Sequence, residues 1–304
     1  MGKFVHTAAT SLSMALIALS HCTIAAPVAA PVSPLTPSDA QGQAQSTLAV
    51  ELLSPSSSVV DDVPTLTPLT PHKAQYRVFY GSIELGLANY ELPRHDTGLY
   101  RYEFDSNVSL LMISDQRRIK SEFMVDGNRL QPYRYTHERS GTGSDYSEHT
   151  SFFKSQHNIF TIYKNEKTDL AYEGAIFDPL MVQLQFRLDL HSAAAIDAYK
   201  MVKEKEVDEY KFKIVGEERL TIDSGTYDTI KIEVVRDSTK RQTFFWMAPK
   251  LAYLPVRLSH FSKGSKQLDI QLDTYQFELP KQVLIEQLKG EILMNNPTEN
   301  QSEE

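Results

Sequence analysis

Thr243-Phe-Phe-Trp-Met-Ala-Pro-Lys250 opens a stretch that runs on as Leu251-Ala-Tyr-Leu-Pro-Val-Arg-Leu-Ser-His260. After a short gap it resumes as Lys266-Gln-Leu-Asp-Ile-Gln-Leu-Asp-Thr-Tyr275. In the last segment Leu268, Ile270 and Leu272 alternate with Asp269, Gln271 and Asp273. A period of two places apolar side chains on one face of an extended chain and polar ones on the other. Thr243–Tyr275 therefore predicts three antiparallel strands in succession, and it carries the single tryptophan of the chain.

The same period extends towards the N-terminus. Ile230, Ile232 and Val234 alternate with Lys231 and Glu233, and Tyr210, Phe212 and Ile214 with Lys211 and Lys213, around a turn at Ser224-Gly225. Earlier strands are expected at Tyr76–Tyr80, at Ile83–Leu92 (weakened by Gly86), at Tyr100–Asp105, at Tyr146–Lys154 and at Ile159–Lys164. A hairpin joins Ile119–Val125 to Leu130–Arg139 through Asp126-Gly127-Asn128, a typical tight-turn sequence.

The alternation breaks at Asp178-Pro179, where Asp can cap free amides and Pro suits a first helical turn. Leu180, Leu184 and Leu188 then share one stripe, with Gln183, Gln185, Arg187 and Asp189 off it. This predicts one amphipathic helix of about three turns. A second helix is expected over 281–294, where Leu284, Leu288 and Ile292 share a stripe, before a polar tail over 295–304. The fold class is mainly β: a curved antiparallel sheet or half-open barrel of about a dozen strands. One central helix covers it and a C-terminal helix follows. A sheet this long must curl and bury one face, and no strand–helix–strand alternation calls for parallel pairing.

The ends differ from the domain. Lys3 and His6 precede Ala8–Leu19, an uncharged apolar run of signal-peptide length, too short to span a bilayer. Residues 1–25 are read as a signal cleaved after Thr23-Ile24-Ala25, giving a periplasmic protein. The alternative is a lipoprotein anchored through Cys22, against which His21 is a poor preceding residue. Residues 26–72 are rich in Pro, Ala, Ser and Thr and predict a disordered tether, since they offer little apolar area to offset ordering entropy. The single β domain is expected over 73–280. A net charge of −8 argues against nucleic acid and anionic membrane as partners.

Catalytic motifs are missing. There is no Gly-x-Ser-x-Gly elbow and no phosphate loop, and the glycines of Gly141-Thr-Gly-Ser144 precede strand residues, as in a hairpin tip. His137 and His149 could meet across that hairpin as a zinc or acid–base site, but a solvated polar face is the expected reading. Glu204, Glu206, Asp208 and Glu209, interleaved with lysines, read as a solvated charge run. No cofactor, no metal and no enzymatic activity are expected. The 10% aromatic content, mostly at alternating positions, is either a packed core or one wall of an apolar cavity beneath the helix.

Trp246-Met-Ala-Pro249, Leu254-Pro-Val-Arg257, the Leu268–Tyr275 strand, the Asp178-Pro-Leu180 helix start and the Ser224–Thr229 turn together resemble the secreted bacterial family called domain of unknown function 3108. The resemblance covers roughly Ala74–Phe277 and departs near Ser259-His260, where the family more often has an acid. It implies an envelope-associated all-β domain and transfers no catalytic residue. The Trp…Leu-Pro segment is more loosely similar to the half-barrel lipoprotein carriers of the periplasm, a likeness of fold that does not fix function.

The first expectation is a non-enzymatic binding or carrier module for a lipid or other apolar small molecule. Its candidate ligand-binding residues are Leu180, Leu184 and Leu188 on the helix, with Phe245 or Trp246 on the sheet. Only one of that adjacent pair can face inward on a regular strand. The alternative is an envelope structural or protein-interaction domain with a solid core. Metabolic labelling with a fatty-acid analogue is expected to leave the exported protein untagged, and labelling at Cys22 would refute cleavage after Ala25.

Overall fold

The computed structural model describes residues 65–279, apart from 96, 197 and 237–239. The signal over 1–25, residues 26–64, the helix over 281–294 and the tail over 295–304 lie outside the described residues. Nine strands come first: β1 (His72–Tyr80), β2 (Ile83–Leu92), β3 (Tyr100–Leu110), β4 (Ile113–Asp126), β5 (Arg129–Gly141), β6 (Tyr146–Phe153), β7 (Asn158–Tyr163), β8 (Glu166–Ala171) and the short β9 (Ile176–Phe177). Helix α1 (Pro179–His191) follows, then β10 (Tyr199–Lys203), β11 (Glu206–Ile222), β12 (Gly225–Val235), β13 (Arg241–Ala248), β14 (Leu254–Ser262) and β15 (Ser265–Phe277).

All fifteen strands form one sheet, in the order β8 back to β1, then β15 back to β9. The two halves join where β1 pairs with β15, His72 opposite Phe277 and Val78 opposite Ile270. Every pairing is antiparallel except β9 with β10. The sheet is curved and unclosed. The three strands that exceed the expected dozen are β8, β9 and β10. Strand β8 reads Glu-Lys-Thr-Asp-Leu-Ala, a charged edge strand with little period-two signal, and β9 has two residues.

Strands β3 and β4 also run further than their sequence suggests. The polar run Asp115-Gln-Arg-Arg118 lies within β4. Arg117 Nε donates to Asp115 Oδ1 at 2.7 Å with both side chains almost fully buried, and Arg139 Nε adds a contact of 3.0 Å to Oδ2. The alternation survives in space, but its inward residues are ions. Gly86, which weakens β2 in the sequence, is required there. Its φ is +143°, and a Cβ would stand 2.2 Å from Asn107 O on β3.

Helix α1 starts as its sequence predicts. The Asp178 carboxylate accepts from the amides of Leu180 (2.9 Å) and Met181 (3.0 Å) and from Ser121 Oγ on β4 (2.6 Å). The expectation of a helix with a polar outer side is corrected by the structure. Eleven of its thirteen residues are buried, Gln185, Arg187 and Asp189 among them. The sheet curls round the helix, so its polar side chains find partners inside the domain. Gln185 accepts from Leu130 N–H and donates to Asn128 O at the β4–β5 turn, both at 2.9 Å. Tyr199 of β10 donates its hydroxyl to Asp189 at 2.7 Å.

The gap in the sheet is bridged without a β-ladder. The turn between β10 and β11 presents Glu204, whose amide donates to the buried Glu148 carboxylate of β6 at 2.7 Å. Its carbonyl accepts from Thr161 Oγ1 of β7 at 2.9 Å. Burial pushes Glu148 up to about 7. At the N-terminal border, Pro68 is buried and Leu69 packs on the core, so contacts with the domain begin before His72.

Two outcomes follow from this packing. Leu184 has no exposed surface, so Leu184→Ala is expected to cost about 2–5 kcal/mol in a denaturant melt, the range for emptying a filled core site. Glu148 binds its proton more tightly when folded than when unfolded. Its contribution therefore falls as pH rises from about 4.5 to about 7. The stability difference between wild type and Glu148→Gln should shift against wild type across that window, measured by melts at pH 4.5, 6 and 7.5. A difference independent of pH would refute the buried, protonated carboxyl.

Candidate functional site

A cavity lies between α1 and the sheet. Tyr76, Tyr90 and Tyr102 from β1–β3 form one wall, and Phe245, Met247 and Leu258 from β13–β14 the other. Helix α1 contributes Gln183, Phe186 and Arg187. The free space between these side chains is about 880 Å³ with the open mouth included, but the centre of a water-sized sphere fits in only about 50 Å³ of it. The smaller figure describes the shape: a narrow slot between closely spaced walls, not a wide chamber. Two of its lining rings, Phe186 and Phe212 of β11, meet tilted at 4.5 Å between centroids.

The expected site residues divide. Phe245 lines the slot. Trp246 points to the opposite face, where its Nε1–H donates to Glu218 at 2.9 Å. There its ring lies under Lys231 Nζ (4.9 Å) and the Arg257 guanidinium (5.5 Å). Leu180, Leu184 and Leu188 do not line the slot, which corrects the expectation that they would. They are packed at 5% exposure or less in the solid part of the core. The slot faces Gln183, Phe186 and Arg187, about 100° further round the helix. A helix buried on all sides uses its most apolar stripe for its densest packing, so the mixed stripe is left beside the free space.

Arg187 was not legible as a site residue, because a charged residue off a leucine stripe reads as solvated. It is 2% exposed. Its Nε and Nη2 donate to Ala252 O at 3.4 and 3.3 Å, and Nη1 meets His72 Nε2 at 3.3 Å. The Arg187 charge also acts on the nearby Tyr102 phenol, opposing the larger effect of burial there. No carboxylate among the described residues lies within ion-pair distance of it. His72 Nδ1 faces Thr70 O at 2.7 Å, so the ring donates there and offers its Nε2 lone pair to Arg187. Burial, then the Arg187 charge, hold His72 down to about 3, and it stays neutral. Burial raises Tyr76, Tyr90 and Tyr102, so all three keep their phenolic protons. Arg257, at the margin of the slot, is by contrast fully engaged, with Nε and Nη2 on Asp269 at 2.8 and 2.6 Å.

The other end of the interior is polar. His137 lies opposite Glu148, and His149 opposite Thr136, so the two histidines face opposite sides of the sheet. His137 is 2% exposed, which corrects both the paired-histidine and the solvated-face readings for that residue. Burial and then Arg117 lower it to about 3. Among the described residues no group of three His, Cys, Asp or Glu is placed to hold a metal ion. No helix among them is long and apolar enough to cross a membrane.

Two solved structures match the chain at low similarity. One is a protein described as exported, with a YmcC-like fold, from Bacteroides fragilis. It is 8% identical, with a TM-score of 0.28, over 70% of this chain and 97% of that one. The other is LprF from Mycobacterium bovis, 11% identical with a TM-score of 0.26, over 70% and 89%. Likeness at this level says nothing of ligand or activity. No curated protein matches the chain. The model of one family, "Protein of unknown function (DUF3108)", matches residues 75–271, almost the whole of the β domain, and the chain belongs to that family.

Proposed function

We propose that this domain is a non-enzymatic binding or carrier module, exported to the periplasm, that takes one apolar, chain-like ligand into the slot between α1 and the sheet. The observation that carries this reading is the slot itself. Its walls are aromatic and aliphatic, its mouth is open, and α1 leaves it incompletely filled. The slot is far smaller than a site for a compact small molecule, and its narrowness favours a single flexible chain that parts the walls over a rigid ring system. The apolar run at Ala8–Leu19 supports export.

A second reading, an envelope interaction domain with no ligand, is favoured by one observation. Little of the free space can admit even a water-sized sphere, so the core is close to solid. A neutral fluorescent apolar probe separates the two. Saturable binding at one site is expected, and Ala88→Leu, which adds bulk to a wall residue 1% exposed, should weaken it by about tenfold. Trp246→Phe, on the opposite face, should leave binding unchanged. No saturable binding to wild type would favour the solid-core reading.

A further inference from the structure

We infer that Arg187 is the recognition group for an anionic head, and that the slot takes a single-chain amphiphile ending in a carboxylate. The inference rests on the cavity reading above and adds the chemistry of the ligand's polar end.

Four observations lead to it. Arg187 is buried and borders the slot. It is a cation whose hydrogen-bond partners are both neutral, a backbone carbonyl and an imidazole. A guanidinium carries five N–H donors in a planar fork that matches a carboxylate, and desolvating it without an anion is costly. The second buried arginine of the described residues, Arg117, does have its anion, Asp115. The same protein thus neutralises one buried guanidinium with its own carboxylate and leaves the other, beside an apolar slot, without one.

The surroundings of Arg187 suit an incoming anion. Tyr102 and Tyr90 stand on the facing wall with protonated hydroxyls. The Tyr90 hydroxyl is held only by a long contact of 3.4 Å to Gln183 Oε1, so it can turn to a better acceptor. His72 presents a lone pair rather than a charge to Arg187, so it does not compete as a cation for the anion. A carboxylate placed here would gain the guanidinium and phenolic donors, while its chain would lie between Tyr76 and Phe245. A cationic head would meet Arg187 with like charge, and a neutral alcohol would gain only an ordinary hydrogen bond.

The test uses the full chain and displacement of the neutral fluorescent probe by dodecanoate, dodecanol and dodecyltrimethylammonium. Dodecanoate should bind about 10- to 100-fold more tightly than dodecanol, the range expected for a charge-assisted hydrogen bond. The trimethylammonium compound should bind more weakly than either. Arg187→Gln should bring the acid-to-alcohol ratio close to one while dodecanol binding persists. A merely structural role for Arg187 would weaken both ligands together and leave the ratio unchanged, which overturns the inference. Should Arg187→Gln fail to fold, Arg187→Lys carries the test. It keeps the charge but loses the two-pronged donor, and its ratio should fall below that of wild type. An unchanged ratio overturns the assignment. If wild type binds dodecanol and dodecanoate equally, the role of Arg187 fails and the apolar slot stands. If it binds neither ligand nor the probe, the cavity reading fails and takes this one with it.

Discussion

Helix α1 is buried on every side, and most of the architecture answers to that constraint. A helix whose surface is all interior must satisfy each of its polar side chains without water. Asp178 reaches Ser121, Gln185 reaches the backbone of the β4–β5 turn, Asp189 takes the Tyr199 hydroxyl and Arg187 holds Ala252 O. These contacts come from the β4–β5 pair, from β10 and from the β13–β14 connection, three places well separated in the ladder order. A flat sheet could not bring them to one helix. The curl of the sheet and the polar decoration of the helix therefore require each other.

That mutual requirement places the slot. The Leu180/Leu184/Leu188 stripe fills the densest packing, and the sheet follows it closely. On the Gln183/Phe186/Arg187 side the walls belong to opposite halves of the sheet, β1–β3 and β13–β14, joined through β1 and β15. The same curl brings the β10–β11 turn against β6 and β7. Side chains rather than ladder bonds close that gap, through Glu148 and Thr161 on Glu204. The seam rests on a few side-chain contacts, Lys205 on Glu166 of β8 among them, in place of a strand pair.

The sequence made the β architecture legible because period-two alternation survives wherever the inner face is apolar. It held for Leu268/Ile270/Leu272 and for Ile230/Ile232/Val234, and it located α1 through Asp178-Pro179. It failed where the inner face is polar. Asp115, Arg117, His137 and Glu148 all point inward, yet each type reads as solvated when its partner lies in another strand. Of the residues singled out in the sequence, Phe245 lines the slot. Leu180, Leu184 and Leu188 stand out by apolarity, which in a fully buried helix marks packing and not free space. Tyr90 and Tyr102 were visible only as members of an aromatic alternation, since their shared wall depends on the β2–β3 register.

The distribution of buried charge gives the interior its polarity. Asp269 is held well below the ordinary carboxylate range, at about 2, by hydrogen bonds from Arg257 and Ser259 that outweigh its burial. Asp115 is shared by Arg117 and Arg139. In both clusters charge is balanced within the fold, and the side chains are fixed in place. Around α1 the balance is different. Glu148 and Asp178 are raised to about 7 by burial, so their negative charge is suppressed where it would be most costly. Arg187 cannot lower its cost in that way, because a guanidinium does not give up its proton in proteins. Its charge is fixed, its partners are dipoles, and the nearby phenols cannot supply an anion. Among the described residues the other buried charges are paired or held neutral, and Arg187 alone stands as a permanent cation with neutral partners beside an apolar slot, so its charge sets the potential there.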